Sequence, residues 1–453
     1  MNVSIIGTGY VGLTTGVMLA SLGHTITCVD VDEAKLELLR QGQSPIFEPH
    51  LETLLNSVLS QMRFTSSYCD AVPQADVIFI AVGTPSLPDG NSDLKYLRAA
   101  ATSIGEHLGA GFTVVVNKST VPIGSGNWVE SLIRDAVEAK NEKISNRICV
   151  ASNPEFLKEG TALEDSFYPD RIVVGADNNL GLEVLERLYA PILEQSFSPP
   201  IGLPRPENLP TVALVKTDLT SAELIKYAAN AFLSTKISFI NEIAELAEKV
   251  GADVRHIAKG IGLDARIGQR FLQAGIGWGG SCFGKDTAAI INTAREYGIS
   301  MEIIQAAREV NFRQRARVIE KLMLELKILK GKTIGLLGLA FKPNTDDLRD
   351  APALDIGRRL IERGARVRAH DPIAMDRFKR EHSDSGFQLV NTPERVFEEA
   401  DAVLLVTDWI QYRDLCWNDV IPRMKNPYIL DGRNYLNRSK LLEAGAKYEG
   451  IGF

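Results

Sequence analysis

The most constraining feature of the chain is a short apolar strand that runs into a glycine turn, and it occurs twice. Residues 3–12 read VSIIGTGYVG, and residues 333–342 read TIGLLGLAFK. After each copy, a second predicted strand ends in an acid, at Asp30 and at Asp371. Strands that alternate with helical segments predict a parallel sheet with helices on both faces. We therefore expect an α/β protein with two Rossmann-like doubly wound domains.

The sequence between the two copies has a different character. A proline-rich segment at 198–210 precedes one long predicted helix over 218–250, whose Thr220 and Glu223 stand at capping-box spacing. We expect this helix to join the domains, and its apolar stripe is compatible with either a dimer interface or an ordinary core. The predicted parts of the chain are 1–205, 206–310 and 311–453.

Composition narrows the class of protein. The chain has 453 residues and a formal net charge of -7, which argues against a broad electrostatic grip on nucleic acid. Its length suits two or three folding units. It contains no apolar run of the roughly 18 residues that span a bilayer, and its first residues do not resemble a secretory signal. We expect a cytoplasmic protein without a membrane partner.

The first glycine turn predicts a dinucleotide site. Gly7, Gly9 and Gly12 have the spacing that gives a tight turn, close approach to a pyrophosphate and close packing of the next helix. Asp30 lies near the offset at which an acid binds a ribose and repels a 2′-phosphate. NAD is therefore expected rather than NADP. A turn without a ligand and a flavin site are the alternatives.

The second glycine turn lacks this spacing. It places Phe341 and Lys342 where a helix should open, with Arg349 close behind. Basic residues at the end of a strand predict contact with a phosphate rather than with a second dinucleotide. Solvated basic side chains are the alternative.

The stretch GIGWGGSCFGKD at 275–286 surrounds Cys282 with five glycines. A thiol reacts as the thiolate, which a helix N-terminus or a nearby cation favours. A helix predicted to begin close by and Lys285 supply both, and the glycines are expected to let the backbone approach a ligand. A buried inert cysteine is the alternative. The other cysteines are far apart and form no CxxC pair, so neither disulfides nor a metal site is expected.

Two further segments place polar groups at helical spacing. The Asn-Pro pair at 153–154 predicts a helix start that sets Glu155 and Glu159 one turn apart. Lys226 and Asn230 have the same spacing on an otherwise apolar helix, where buried polar groups need a reason. Together with the thiol, these groups predict chemistry on a carbonyl. In the alternative interpretation the acids only favour a helix N-terminus and Lys226 reaches solvent.

The whole chain resembles the UDP-glucose dehydrogenases, within the wider UDP-glucose/GDP-mannose dehydrogenase family. The motifs that carry the resemblance stand in the family's order: GTGYVG, AVGTPS, NKSTVP, NPEFLKEGTA, PDRIVVG, KYAANAF, GGSCFGKD, FKPNTDDLRDAP and DGRN. The family implies oxidation of a sugar C6 alcohol to an acid while two NAD+ are reduced. GDP-mannose and UDP-N-acetylhexosamine dehydrogenases are alternatives, but FLKEGTA and GSCFGKD are similar to the UDP-glucose branch. A nucleotide-sugar or NAD sensor is the alternative without catalysis.

The resemblance implies that Cys282 traps an aldehyde as a thiohemiacetal, which is oxidised to a thioester and hydrolysed. The implied catalytic residues are Cys282, Lys226, Asn230, Asp286, Glu159 and Thr120. The residues implied to bind NAD are Gly7, Gly9, Tyr10, Val11, Gly12, Asp30, Lys35, Thr84, Thr120, Glu159, Lys285 and Arg349. Those implied to bind UDP-glucose are Glu155, Phe156, Leu157, Lys158, Lys226, Asn230, Arg266, Phe271, Leu272, Gln273, Ala274, Gly275, Gly279, Phe341, Lys342 and Arg433.

The resemblance also implies what each part of the chain does. It gives NAD binding to the first part, dimerisation and the catalytic cysteine to the second, and UDP-sugar binding to the third. A homodimer or a larger homo-oligomer is implied, with Arg266 reaching a partner subunit's site. The chain departs from the usual bacterial pattern at Trp278 and Gly284, and Gln273 replaces a lysine of some animal relatives.

Overall fold

The computed structural model describes residues 1–87, 89–140, 147–207, 209 and 211–453. They form two compact units, Met1–Ala229 with Ala288–Tyr297 and Asn230–Thr287 with Gly298–Phe453. The three-part division made from the sequence stays a prediction. Residues 208 and 210 of the proline-rich segment lie outside the described residues.

The first unit is built on an eight-stranded sheet. Its strands are β1 (Asn2–Ile6), β2 (Thr25–Val29), β3 (Met62–Thr65), β4 (Val77–Ile80), β5 (Thr113–Asn117), β6 (Ile148–Ser152), β7 (Arg171–Ala176) and β8 (Ala213–Thr217). The order is β3-β2-β1-β4-β5-β6-β7-β8, with β7 antiparallel to β6 and every other pair parallel. Its helices are α1 (Tyr10–Ser21), α2 (Glu33–Arg40), α3 (Leu51–Val58), α4 (Tyr68–Ala71), α5 (Lys95–His107), α6 (Ser125–Glu138), α7 (Ala162–Phe167) and α8 (Asn179–Leu193).

Burial of the central strands explains this architecture. The VIFI sequence of β4 and the TVVVN sequence of β5 are buried along their whole lengths. Strands that are buried on both faces are typical of parallel sheets covered by helices. The α/β class predicted from the sequence is confirmed.

The long predicted helix is also confirmed, as α9 (Leu219–Val250). The predicted capping box is wrong. Asp218 accepts a hydrogen bond from the first turn of the helix. The carboxylate of Glu223 instead accepts from the amides of Gly124 at 2.6 Å and Gly126 at 2.8 Å, at the start of α6. Glu223 therefore ties α9 to α6.

The second unit contains a six-stranded sheet that is parallel throughout. Its strands are β9 (Thr333–Leu337), β10 (Arg366–His370), β11 (Phe387–Leu389), β12 (Ala402–Leu405), β13 (Tyr428–Asp431) and β14 (Lys447–Glu449), in the order β11-β10-β9-β12-β13-β14. The remaining helices are α10 (Val254–Gly262), α11 (Phe283–Glu296), α12 (Glu302–Leu326), α13 (Pro352–Glu362), α14 (Met375–Glu381), α15 (Ile410–Arg413), α16 (Trp417–Val420) and α17 (Arg438–Glu443). Within the described parts of the chain, each helix is too short or too polar to span a bilayer.

The register of the first sheet sets where α9 begins. Ser152 of β6 pairs with Gly175 of β7, and Gly175 pairs with Thr217 of β8, so the three residues form one row across the sheet. Both β6 and β8 end at this row. The first turns of α9 therefore start from the level at which the segment after β6 leaves the sheet.

Candidate active site

The first glycine turn has the shape that a dinucleotide needs. Gly7 has φ 100°, and a Cβ there would lie 2.7 Å from the carbonyl oxygen of Ala81. A Cβ on Gly12 would lie 1.9 Å from the carbonyl oxygen of Gly7. Among the described residues, nothing lies within 4 Å of a Cβ on Gly9, and α1 begins immediately afterwards, at Tyr10. The turn is thus closed on the protein side and open over Gly9, which fits a pyrophosphate at the helix start.

Asp30 follows β2 beside this turn. Its Oδ2 accepts from the Thr8 amide at 2.8 Å and from the Thr8 hydroxyl at 2.6 Å. Burial alone would raise the pKa of Asp30, but the hydrogen bonds from Thr8 and Asp32, together with the charge of Lys35, lower it below its ordinary value. An ionised carboxylate is therefore held where a ribose hydroxyl is expected. The glycine turn and Asp30 together fit NAD.

Two other residues predicted to bind NAD meet at the ends of β4 and β5. The Thr84 hydroxyl donates to the carbonyl oxygen of Thr120 at 2.9 Å. The neighbouring Ser119 hydroxyl donates to the carbonyl oxygen of Val82 at 2.6 Å. These bonds fix the backbone of the NKSTVP segment at the carboxyl edge of the sheet.

The structure contradicts the helix predicted for the NPEFLKEG segment. Residues 153–158 are not helical, so Glu155 and Glu159 do not share a helix face. The physical reason is that the Asn153 side chain, the predicted cap, is used elsewhere. Its Oδ1 accepts from the Lys118 ammonium at 2.8 Å, and its amide donates to a carbonyl oxygen of β7 at 2.7 Å.

Glu155 is buried and forms an ion pair with Lys226. Their side chains are 7% and 5% exposed, and Nζ lies 2.9 Å from Oε1. The interpretation in which Lys226 reaches solvent is therefore wrong. Burial alone would raise the pKa of Glu155, but Lys226, the Leu157 amide and Lys118 lower it below its ordinary value. Close by, the ring of Phe156 lies 5.3 Å from the Lys226 ammonium.

Lys118 is a site residue that the sequence reasoning missed. Burial lowers the pKa of Lys118 to about 8, with Glu155 opposing this shift and Lys226 adding to it. A signal was available, because a lysine directly after β5 stands at the carboxyl end of a buried parallel strand, where ligands bind. Two lysines and one carboxylate thus share one polar cluster in the first unit.

In the second unit, Cys282 lies immediately before α11. Its carbonyl oxygen accepts from the Asp286 amide at 2.8 Å, so the thiol stands at the N-terminus of the helix. The Ser281 hydroxyl lies 3.6 Å from Sγ, and the cysteine is exposed. The predicted helix start is confirmed, and the alternative of a buried cysteine is wrong. The partial positive charge at a helix N-terminus favours the thiolate.

Asp286 lies one turn into the same helix. It is 1% exposed, its Oδ2 accepts from the Asn230 amide at 2.6 Å, and its Oδ1 lies 2.8 Å from the Lys285 ammonium. Three residues that the resemblance implied for the reaction or its cofactor therefore form one cluster, and each polar side chain has a defined orientation.

The glycines before Cys282 pack closely against other parts of the second unit. Gly277 has φ 93°, and a Cβ there would lie 2.6 Å from Oδ1 of Asn311. A Cβ on Gly279 would lie 2.4 Å from the carbonyl oxygen of Asp350. Between them, the Trp278 amide donates to Asn311 at 2.7 Å, and its carbonyl oxygen accepts from Asn311 at 3.1 Å. This packing, which the sequence did not reveal, accounts for two of the glycines.

A pocket of about 260 Å³ lies beside the segment implied to bind the sugar nucleotide. Four of the predicted substrate residues line this pocket: Leu272, Gln273, Ala274 and Arg433. Helix α10 contributes Arg255 and Lys259. Arg433 is fixed by donating to the carbonyl oxygens of Val406 at 2.7 Å and Gly277 at 3.0 Å. The pocket therefore combines an apolar wall with basic groups.

The other predicted residues of this unit lie on loops. No helix begins at Phe341 or Lys342, because α13 starts only at Pro352. Arg349 forms a bidentate pair with Asp347. Arg266 is 89% exposed in the described chain and lies 2.7 Å from Asp264.

The comparisons with known proteins agree with this geometry. The NAD binding domain of the UDP-glucose/GDP-mannose dehydrogenase family matches residues 1–193, its central domain residues 220–313 and its UDP binding domain residues 335–438. The chain belongs to the UDP-glucose/GDP-mannose dehydrogenase family. It is an NAD-dependent dehydrogenase, and the interpretation as a non-catalytic sensor is set aside.

Three relatives illustrate the similarity. The chain is 43% identical to the UDP-glucose 6-dehydrogenase TuaD of Bacillus subtilis (strain 168), over 100% of this chain and 93% of the relative. It is 39% identical to a solved UDP-glucose dehydrogenase from Pyrobaculum islandicum, with a TM-score of 0.87 and coverage of 100% and 97%. A UDP-D-ManNAc dehydrogenase from Pyrococcus horikoshii is 26% identical, with a TM-score of 0.83 and coverage of 100% and 99%.

Proposed function

We propose that this chain oxidises UDP-glucose at C6 to UDP-glucuronate in two NAD-dependent steps through a thioester on Cys282. The observation that carries the proposal is the thiol at the start of α11, one turn before the buried Asp286 that Asn230 and Lys285 hold. The relatives named for UDP-glucose support this substrate, because they share more of the sequence than the relative named for UDP-D-ManNAc. In this proposal residues 1–205 bind NAD and residues 311–453 bind the UDP moiety.

The first oxidation converts the C6 alcohol to an aldehyde. NAD+ bound at the glycine turn and Asp30 would supply the hydride acceptor for C6, and the hydroxyl proton would pass to water ordered by Asp286, Thr120 and Glu159. A fixed carboxylate is suited to this task, because general acid–base groups contribute only when they are held within hydrogen-bond reach of the proton.

The second oxidation is covalent. The Cys282 thiolate attacks the aldehyde carbon, a C–S bond forms, and the carbonyl oxygen becomes an oxyanion that Lys226 and Asn230 stabilise. Donors aimed at such an oxygen are worth about 3 kcal/mol each in comparable sites. Because this oxygen carries no proton, a second hydride would leave C6 for another NAD+ and give the thioester. Water, assisted by Glu155, then breaks the C–S bond and releases the acid and the thiolate.

The ion pair with Glu155 suits Lys226 to this role. A buried ammonium paired with a carboxylate stays protonated and keeps one orientation, whereas an unpaired buried lysine would lose its proton. Because the Glu155 carboxylate also accepts from the Leu157 amide at 2.7 Å, the pair is anchored to the backbone of the loop.

Reaction stoichiometry tests the proposal directly. Purified protein with UDP-glucose and NAD+ is expected to form two NADH for each UDP-glucuronate, because the aldehyde stays attached to the protein between oxidations. The measurement is NADH absorbance against product separated by chromatography. A ratio of one, or turnover of GDP-mannose or a UDP-N-acetylhexosamine in place of UDP-glucose, would contradict it.

Cys282→Ser separates the covalent step from cofactor binding. We expect net formation of the acid to stop while the Kd for NAD+ stays within about twofold. Cys416→Ser is the matched control, since Cys416 is also an exposed thiol. Wild-type turnover in Cys282→Ser would show that the thioester is not formed.

We also propose that the chain forms a homodimer through α9. Phe232, Phe239 and Leu246 are 66%, 48% and 57% exposed and recur at seven-residue intervals, which places them on one helix face. Large apolar side chains in one exposed stripe are typical of association surfaces. Light scattering is expected to give a dimer or a larger oligomer for the wild type and a smaller species for Phe239→Asp. A monomeric wild type would overturn this proposal without affecting the catalytic one.

A further inference from the structure

Glu48 lies in the loop before α3, outside all of the predicted sites, and is only 6% exposed. Its Oε1 accepts from the Ala162 amide at 2.6 Å, and its Oε2 accepts from the Gly160 amide at 2.6 Å. The Tyr10 hydroxyl also donates to Oε2. Hydrogen bonds to an ionised acceptor are about twice as strong as neutral ones, so this carboxylate is a strong local constraint.

The groups that Glu48 joins belong to two different parts of the proposed reaction. Tyr10 opens α1 directly after Gly9, at the start of the helix that faces the dinucleotide turn. Gly160 has φ 84° and follows Glu159 in the turn before α7. The Gly160 amide also lies 2.7 Å from the Tyr10 hydroxyl.

We propose that Glu48 is a positioning residue that couples the NAD turn at Tyr10 to the backbone turn that carries Glu159. Binding of NAD would thereby help to fix the position of Glu159, and displacement of either turn would shift the other. The catalytic role of Glu159 rests on the proposed function, but the coupling between the two turns rests on the contacts of Glu48 and on the bond from the Gly160 amide to the Tyr10 hydroxyl.

A carboxylate is required by the number of donors. Two backbone amides and one hydroxyl converge on its two oxygens. A glutamine would turn an NH₂ group toward at least one of these donors and leave it without an acceptor. The negative charge of Glu48 is therefore expected to hold the two turns more than the size of its side chain does.

Glu48→Gln in the full chain tests the coupling. We expect the Kd for NAD+, measured by calorimetry, to rise about tenfold, which corresponds to about 1.4 kcal/mol. We expect kcat to fall about tenfold as well. The Kd for UDP-glucose, measured without NAD+, should stay within about twofold, because the UDP binding domain of the family matches residues 335–438.

Glu52→Gln is the matched control. Glu52 is an exposed acid of α3 that also accepts from a backbone amide, that of Ser44, at 3.2 Å. Its substitution should leave both dissociation constants and kcat near the wild-type values. Tyr10→Phe removes the hydroxyl from the same network, and the double variant Tyr10→Phe/Glu48→Gln should lose less than the product of the single losses.

The outcomes separate the possibilities. Wild-type NAD+ affinity in Glu48→Gln would overturn the proposal, as would an equal loss of NAD+ and UDP-glucose affinity accompanied by a lower melting temperature. If Glu48→Gln does not fold, Tyr10→Phe decides, with at least threefold weaker NAD+ binding in support and unchanged binding against. If the wild type does not oxidise UDP-glucose, the proposed function fails while the NAD+ titrations still test Glu48.

Discussion

The two sheets carry the same turn after their first strand, and the comparison shows how little separates a ligand site from a closed structural turn. Gly7 has φ 100° and Gly338 has φ 104°. The Gly7 amide donates to the carbonyl oxygen of Val29 at 2.7 Å, and the Gly338 amide donates to that of His370 at 2.8 Å. In both units the chain thus leaves the strand in the same way.

The acids that follow the neighbouring strands differ. Asp30 is partly exposed, and its Oδ2 accepts from Thr8. Asp371 is fully buried. Its carboxylate accepts from four backbone amides and an indole, those of Leu339, Ala340, Ile373, Ala374 and Trp409. The second acid is therefore used by the protein itself, whereas the first is partly exposed to a ligand, although its Oδ1 also accepts from the Asp32 amide at 3.1 Å.

The segment after the turn also leaves room for a ligand in the first unit and not in the second. In the first unit α1 begins at Tyr10, so the amides at the helix start face the turn. In the second unit the corresponding stretch stays irregular until Pro352, and the Ala340 carbonyl oxygen accepts from the Thr407 hydroxyl at 2.5 Å. A helix start kept open, rather than the strand and its glycine, distinguishes the dinucleotide turn.

The sharpest test of this comparison is to remove each acid. Asp371→Ala leaves five donors, four of them buried, without their acceptor and should lower the free energy of unfolding by about 3–5 kcal/mol. Asp30→Ala should lower it by less than about 1 kcal/mol, because water can replace a partly exposed carboxylate. Urea unfolding followed by circular dichroism measures both values. Equal losses would break the comparison.

A third buried acid, Glu223, should make stability depend on pH. It accepts hydrogen bonds from two backbone amides, whereas Asp371 accepts from four. Burial raises the pKa of Glu223 to about 7 from 4.5, so the folded chain binds a proton that the unfolded chain releases. Its contribution to stability is complete below about pH 4.5 and is lost as the pH rises through about 7. Relative to Glu223→Gln, the wild type should lose up to about 3 kcal/mol over this range, measured by urea unfolding at several pH values. A constant difference between the two proteins would contradict the shift.

Asp30→Ala also tests the ligand side of the comparison. Loss of a charged acceptor for a ribose hydroxyl should weaken NAD+ binding about tenfold and narrow the preference for NAD+ over NADP+. Calorimetric titration with both dinucleotides gives the two constants. Glu33→Gln is the control, because Glu33 is a nearby exposed acid that pairs with Arg40, and it should leave both dissociation constants unchanged.

The smallest expected effect concerns Ala340, which stands in the second turn where Gly9 stands in the first. Ala340→Gly should cost about 0.5–1 kcal/mol of stability and add no dinucleotide site, because the amide of residue 340 still donates to Asp371. NAD+ should bind at one equivalent per chain in both proteins. A second equivalent in the variant would show that the side chain, and not the buried acid, closes the turn.

Features set by local pattern were accessible from the sequence. The two strand-turn-acid units, the long α9 and the start of α11 after Cys282 each follow from periodicity and from glycine or acid spacing within a short window. The burial of Lys226 and Asn230 was also predictable, since both stand on an apolar helix.

Features set by distant partners were not. Asn153 has the local signature of a helix cap, yet Lys118 and β7 take its side chain, and the helix fails to form there. Glu48 lies more than one hundred residues from the amides that it binds, and no spacing rule connects them. The glycines before Cys282 matched a ligand loop, but two of them are required by close contacts with Asn311 and Asp350.

The row formed by Ser152, Gly175 and Thr217 has a consequence for how this sequence can change over time. A helix advances 1.5 Å and turns 100° with each residue. One residue gained or lost between Thr217 and Lys226 would therefore rotate the lysine away from Glu155, even if every side chain were kept. From Thr217 onward, the number of residues therefore sets the direction in which Lys226 points. In that stretch we expect point substitutions to accumulate among descendants, while insertions and deletions are removed.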